Sequence, residues 1–309
     1  VTFGGLVGEN NGTITNSRVG RMSYTRIEAN EESQTERTVY GEALTFVVGD
    51  NSANVNESAN GFVGVSGGFV GTNDTSGVVA SSYMANTSLI NLSTADSLAR
   101  TAGFAGVNNG TINYSYVKAR EDTISYENPN STGASIRAGT NGNVAGFVHV
   151  NSGTITNSFA NTELITTSAF MAGFVYQNNA SGVISECYSA CTLNGTNNTL
   201  DVSEQPFVGI DEAGVLLSDG TIENSYFLIS NTYSEIEEQE GKDQAQALNS
   251  ENFMNSEQLN GFVFINSTSS TERNQGVWTY YSGNLSVVLP ELTNANLVAH
   301  SYRYFIGTT

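Results

Sequence analysis

The amino-acid sequence points to an all-β chain wound as a parallel, right-handed β-solenoid, with inserted loops and a small C-terminal closing segment. Three observations lead there: a phrase recurs, its spacing drifts, and helix signals are nearly absent before residues 235–260. The phrase opens as Gly5-Leu6-Val7-Gly8-Glu9-Asn10-Asn11-Gly12-Thr13-Ile14-Thr15-Asn16-Ser17. It returns as Gly103-Phe104-Ala105-Gly106-Val107-Asn108-Asn109-Gly110-Thr111-Ile112, and as Gly146-Phe147-Val148-His149-Val150-Asn151-Ser152-Gly153-Thr154-Ile155-Thr156-Asn157-Ser158. Self-similarity on this scale marks stacked units, none of which buries its apolar face alone.

Each copy contains short strands rich in Val, Ile, Phe, Thr and Tyr, residues that suit a pleated, half-buried surface. Asn-Asn-Gly and Asn-Ser-Gly supply corner residues that tolerate positive φ. Asn at equivalent corners would form hydrogen-bonded ladders along the axis, with Phe, Leu, Val and Ile piled inside. Three further copies can be placed. Gly68-Phe69-Val70-Gly71-Thr72-Asn73 leads to Ser82-Tyr83, and Gly173-Phe174-Val175-Tyr176-Gln177-Asn178 leads to Cys187-Tyr188. A degenerate sixth runs from Phe207-Val208-Gly209 to Asn224-Ser225-Tyr226 and lacks the Asn corner. Leading glycines at 5, 68, 103, 146 and 173 give intervals of 63, 35, 43 and 27 residues. The shortest interval is read as the basic unit, and the longer ones as that unit plus polar loops at 20–60, 84–101, 118–142 and 189–206. A propeller with blades of ~40 residues is the alternative, and the drifting interval argues against it.

The repeated Gly4-Gly5-Leu6-Val7-Gly8-Glu9-Asn10-Asn11-Gly12-Thr13-Ile14-Thr15-Asn16-Ser17 resembles the unit of GLUG-motif proteins. That family occurs in large bacterial and archaeal surface proteins, among them adhesins and the non-catalytic part of some immunoglobulin-A peptidases. The resemblance covers residues 1–230, taken as the solenoid domain. Residues 231–309 then form an acidic loop, a closing segment and a C-terminal strand packing on it. Leu248 to Phe264, Gly276-Val277-Trp278-Thr279 and Leu289-Pro290-Glu291-Leu292 resemble the segment that often follows such repeats. Tyr114 departs from the pattern, standing where Asn is expected.

Composition limits the function. Lys+Arg 11 against Asp+Glu 30 gives a net charge of −19, which disfavours nucleic acid and anionic lipid as partners. No apolar run reaches the ~18 residues that cross a bilayer, so no membrane insertion is expected. The chain begins inside a repeat without a signal peptide and reads as a mature product or a fragment. Sequons occur at Asn11, Asn56, Asn73, Asn86, Asn91, Asn109, Asn113, Asn130, Asn179, Asn194, Asn197, Asn266 and Asn284. Many arise by chance in an Asn- and Thr-rich chain; the other reading is a glycosylated, extracellular protein. Only Cys187 and Cys191 are present. On one straight strand their α-carbons would stand about 13 Å apart, beyond the ~7 Å a disulfide tolerates. They are buried thiols, or pair across a turn, or pair between chains. Cys187 aligns with Ser17, Ser115, Ser158 and Ser225, which favours a small inward residue.

A polysaccharide-cleaving solenoid needs carboxylates gathered in one groove. Here most acids fall in inserted loops, and only Glu186 and Glu223 occupy nearly equivalent strand positions. Outward-facing strand acids are the plainer account of that pair. His149 and His300 are the only histidines, and no nucleophile elbow, HExxH, CxxC or phosphate loop accompanies them. The acidic run 234–243 lacks the spacing of a calcium loop. The expectation is therefore a non-enzyme, without cofactor or metal.

What remains is a structural protein of a cell envelope or surface layer whose partners are copies of itself. Assembly would run through solenoid ends or edges into a filament, sheath or sheet. The first rung begins within three residues without a cap. At the other end Val298, His300, Tyr302, Tyr304 and Ile306 would share one strand face, free to add to a neighbour's bare rung. Equally, missing rungs of a longer chain would cover that edge, with the last strand packing on its own domain. The alternative function is an adhesin or glycan-binding module of a larger surface protein. It would contact glycans or host and cell-surface proteins through the loops and Tyr24, Tyr40 and Tyr126.

Overall fold

The computed structural model describes residues 2–20, 24–30, 33–39, 44–48, 64–92, 100–118, 134–138, 142–166, 170–194, 204–229, 245–264, 277–279 and 290–292. Successive turns of chain stack as parallel, in-register rungs, forming five parallel sheets that run the length of a β-solenoid. The fourth rung shows the repeat at its shortest: Asn143–Ala145, Val148–Asn151, Thr154–Thr156, Phe159–Asn161 and Glu163–Ile165. We name the sheets containing these strands A to E. Sheet A starts at Thr2–Gly4, B at Val7–Asn10, C at Thr13–Thr15, D at Arg18–Val19 and E at Leu44–Val48. An antiparallel hairpin, Tyr24–Asn30 with Ser33–Val39, is inserted between the first strands of D and E.

Sheet E corrects the sequence reading. All four stretches taken as inserted loops contain one of its strands: Leu44–Val48, Thr87–Asn91, Ser135–Arg137 and Thr192–Asn194. Three of them place one or two apolar residues in a polar context, and Leu44–Val48 holds four. The register aligns Phe46, Leu89, Ile136, Leu164 and Leu193. One inward apolar residue per short strand leaves little alternation to recognise, although stacking buries Leu89, Ile136 and Leu164 completely.

The core is built from such columns. Phe69, Phe104, Phe147, Phe174 and Phe207 lie one over another, with ring centroids 4.7, 4.8, 4.9 and 4.8 Å apart. This is the rung spacing itself, so each phenyl touches the rings above and below. Burying such a side chain contributes about 1.5–3 kcal/mol, and each offset ring pair ~0.5–1.5 more. The leading glycine recurs for a steric reason. A Cβ on Gly103 would lie 2.2 Å from the carbonyl oxygen of Gly146, and one on Gly146 would lie 2.0 Å from that of Gly173. Only glycine lets the backbone approach its neighbour that closely.

A second aromatic column, Tyr83, Tyr116, Phe159 and Tyr188, stacks at 4.8 to 4.9 Å along sheet D, in a cluster separate from the main core. The C-terminal segment packs against it. Gln246–Leu248 adds a strand to sheet D, followed by the helix Ser250–Phe253, whose N-cap Asn249 side chain accepts from the Asn252 amide. Trp278–Thr279 and Glu291–Leu292 form an antiparallel pair. Phe253, Phe262, Trp278 and Leu292 are buried with the column. Trp278 Nε1 donates to Asn157 Oδ1 at 3.3 Å, and Tyr188 Oη donates to the Pro290 carbonyl at 2.6 Å.

Candidate functional site

The corner between sheets B and C carries the most regular polar structure in the molecule. Asn10, Asn73, Asn108, Asn151 and Asn178 share one position on successive rungs. Each Nδ2 donates to the Oδ1 of the next, at 2.8, 2.8, 2.8 and 2.9 Å. The same amides also donate to local carbonyls, as Asn73 does to Gly77 at 3.2 Å. Four of these carboxamides are essentially inaccessible, a placement tolerable only because their hydrogen bonds are made. The ladder is polar, since every amide points toward the later rung. It stops where Asn178 faces Ser218, whose buried hydroxyl has no hydrogen-bond partner. The missing Asn of the sixth copy is thus the place where the ladder ends.

The next corner, between sheets C and D, holds one left-handed residue per rung. Asn16, Ser81, Tyr114, Asn157, Glu186 and Asn224 have φ of 51°, 50°, 48°, 47°, 51° and 43°. Tyr114 therefore adopts the Asn conformation and its rung stays regular. The following residue is Ser17, Ser82, Ser115, Ser158, Cys187 or Ser225. Ser82, Ser115, Ser158 and Ser225 accept an amide from the rung before, while each side chain donates to the carbonyl two residues back in its own rung. Cys187 occupies the same place and its Sγ donates to Ser185 at 3.1 Å. Both cysteines are free, and Cys191 Sγ points to the Gly173 carbonyl. Burial raises the Cys187 thiol far above its ordinary pKa and pushes Cys191 up to about 12.

Glu186 and Glu223 do not form a stacked pair. Register places Glu223 opposite Ser185, while Glu186 takes the left-handed corner equivalent to Asn224. The two acids differ by one position: Glu223 ends its strand and Glu186 is the corner residue after the strand. His149 lies in a column of glycines, Gly8, Gly71 and Gly106, and stacks at 4.7 Å on Tyr176 in the next rung. Both imidazole nitrogens are buried without a hydrogen-bond partner. Burial, with a smaller contribution from Arg100, lowers its pKa to about 3, so the ring is neutral at physiological pH. Tyr176 donates to the Ile210 carbonyl, and burial pushes its phenol up to about 12. No group of three or more His, Cys, Asp or Glu is placed to hold a metal among the described residues.

The sequons divide. Asn73, Asn86 and Asn91 are buried, the first in the ladder and the last donating to Thr101 Oγ1 at 3.0 Å. Asn113 has its Oδ1 buried without a partner. Asn194 donates to Glu163. Asn11 is exposed, and Asn109 and Asn179 are half-exposed. Asn56, Asn130, Asn197, Asn266 and Asn284 lie outside the described residues. So do His300, the strand position marked by Val298, His300, Tyr302, Tyr304 and Ile306, the acidic run 234–243, Tyr40 and Tyr126. The side chain of Tyr24 is likewise not described.

The first rung differs from the rest. Its strands in sheets A, B, C, D and E each pair on one side only among the described residues. Leu6, which stands where later rungs have the stacked Phe, is 44% exposed, with Leu44 at 43% and Val47 at 57%. Phe3, Ile14 and Phe46 are only partly buried. Asn10 Oδ1, the acceptor end of the ladder, receives only the local Gly12 amide at 3.2 Å. Compared with family models, curated proteins and solved structures, the chain matches none.

Proposed function

We propose that this chain is a non-enzymatic, extracellular structural protein that self-assembles through the end of its solenoid. One observation carries the reading: among the described residues, five strand edges paired on one side only and exposed Leu6 and Leu44 belong to the first rung. Unpaired strand edges are templates for further strands. Three exposed aliphatic side chains beside them reinforce that tendency. The polarity of the Asn ladder adds direction, because the face presents a carboxamide oxygen and calls for an N–H donor from the incoming segment. A second copy docking here by a non-closing, heterologous contact builds a filament or sheath. The resemblance of the repeats to GLUG-motif surface proteins supports placement at a cell envelope.

The test is electron microscopy and sedimentation of the protein without reductant, beside the double variant Leu6→Lys, Leu44→Lys. Both positions are exposed in the monomer, so the charges leave the fold intact while facing any docked copy. The expected result is polymer for the parent and monomer for the variant. Isolated rods from both proteins overturn the reading and turn attention to adhesion by the inserted segments. Polymers from both would place the contact elsewhere.

A further inference from the structure

The geometry points to a row of N-linked glycans along the B–C corner, at Asn11, Asn109 and Asn179, with the ladder asparagines beside them unmodified. This inference rests on the extracellular reading above. The three residues form one column. Each immediately follows a ladder Asn, and amides at this position donate along the axis. Asn109 donates to the Asn73 carbonyl at 2.7 Å, Ser152 to Asn108 at 2.8 Å and Asn179 to Asn151 at 2.8 Å. The column reads Asn11, Asp74, Asn109, Ser152, Asn179 from the first rung to the fifth. Its sequons thus fall on alternate rungs, about 9.6 Å apart at the usual strand spacing. One sugar-free rung separates each pair, which leaves room for branched chains to stand side by side.

The chemistry distinguishes this column from its buried neighbour one residue earlier. N-glycosylation forms a bond from Asn Nδ2 to C1 of an oligosaccharide carried on a lipid diphosphate. The C1–oxygen bond to the phosphate breaks, the lipid diphosphate leaves, and Nδ2 gives up one proton. The product keeps a single N–H. Asn179 uses one hydrogen, donating to Ser152 Oγ at 2.7 Å, and that bond survives modification. Asn11 likewise makes one exposed contact, to Glu9. Asn73 uses both hydrogens, one to Asn108 and one to Gly77, and is 0% exposed. A glycan there would break the ladder and have no exit.

The experiment is peptide mapping by mass spectrometry of protein recovered from its own cells, before and after peptide N-glycosidase treatment in heavy-oxygen water. Protease shaving of intact cells is run in parallel. Expected are glycan mass and heavy-oxygen Asp at positions 11, 109 and 179, with unmodified Asn at 73, 86 and 91. The triple variant Asn11→Gln, Asn109→Gln, Asn179→Gln should lose that glycan mass without a change in Tm. Bare corner sequons overturn the inference. If shaving still removes such a bare protein, the surface reading stands; if it does not, that reading falls too. Occupancy at Asn73 in folded protein overturns the geometric argument directly.

Discussion

Asn108→Ala should cost about 1 kcal/mol more stability than Asn10→Ala, although the two carboxamides belong to the same ladder. At Asn108 the substitution deletes a bond on each side, from Asn73 Nδ2 at 2.8 Å and to Asn151 Oδ1 at 2.8 Å. Each contributes about 1 kcal/mol, and the groups left behind are buried, which adds ~1–3 kcal/mol. Asn151 Oδ1 retains the Gly153 amide at 3.3 Å, so the lower end applies and the total is about 3 kcal/mol. Asn10→Ala deletes one inter-rung bond, to Asn73 at 2.8 Å, worth about 1 kcal/mol, and leaves the buried Asn73 Oδ1 without it, adding ~1 kcal/mol, a total of about 2 kcal/mol. Urea unfolding followed by far-ultraviolet circular dichroism and by the fluorescence of Trp278 measures both. Two probes are needed because stacked rungs can unravel separately. Equal losses, or a greater loss at Asn10, would refute the claim that the ladder stabilises through contacts on both sides.

His149→Leu should flatten the acid side of the stability profile. The native imidazole stays neutral down to about pH 3, whereas the unfolded chain takes up a proton near pH ~6.5. Between those values the unfolded state binds more protons, so native stability falls as pH falls, by about 2 kcal/mol at pH 5. Urea midpoints at pH 7 and pH 5 should therefore differ more in the parent than in the variant; identical shifts would contradict the buried neutral ring. Cys187→Ser should change stability by less than about 0.5 kcal/mol, since Ser holds that place in the other rungs, and a loss above ~1.5 kcal/mol in thermal unfolding would count against equivalence. The Cys187 thiol should react with an aromatic disulfide reagent only as fast as the protein opens, and more slowly than the partly buried Cys191, since Cys187 is inaccessible and burial raises its pKa. Tyr188→Phe removes the 2.6 Å bond to Pro290 and should weaken closing-segment docking by about 1 kcal/mol, read as faster limited proteolysis after residue 245 with the solenoid intact.

The repeat was legible because a solenoid gives every rung the same environment at the same position. Phe69 and Phe104 share a site, so they share a residue type, and the ladder Asn recurs for the same reason. Sheet E escaped because Thr87–Asn91 and Thr192–Asn194 place one or two apolar side chains among Ser, Thr and Asn. Their burial comes from rungs distant in sequence. The Glu186 and Glu223 pairing failed by one residue, because Glu186 is the left-handed corner residue and Glu223 the last residue of its strand. The split among sequons was present in the repeat alignment: Asn73-Asp74 matches Asn10-Asn11, which puts Asn73 in the ladder and leaves Asp74 outward. The burial of His149 left no such signal, since glycine at the equivalent sites says only that space is tight.

A uniform stack has a weakness that the irregular residues answer. If every rung were identical, slipping by one rung would preserve the Phe column, the Asn ladder and the corner serines, and the register would be degenerate. Pairs that occur once remove the degeneracy. His149 on Tyr176 fits only between the fourth and fifth rungs, and Trp278 reaches Asn157 only from the closing segment in its observed place. The same irregularity gives the solenoid a sense of direction. At the later end the ladder meets Ser218 instead of a carboxamide, and Gln246–Leu248 with its aromatic cluster covers sheet D. At the first rung Gly5, Val7 and Asn10 keep their roles, Leu6 replaces the stacked Phe, and the Asn10 oxygen accepts the local Gly12 amide. Among the described residues, termination is thus written into the later end of the solenoid.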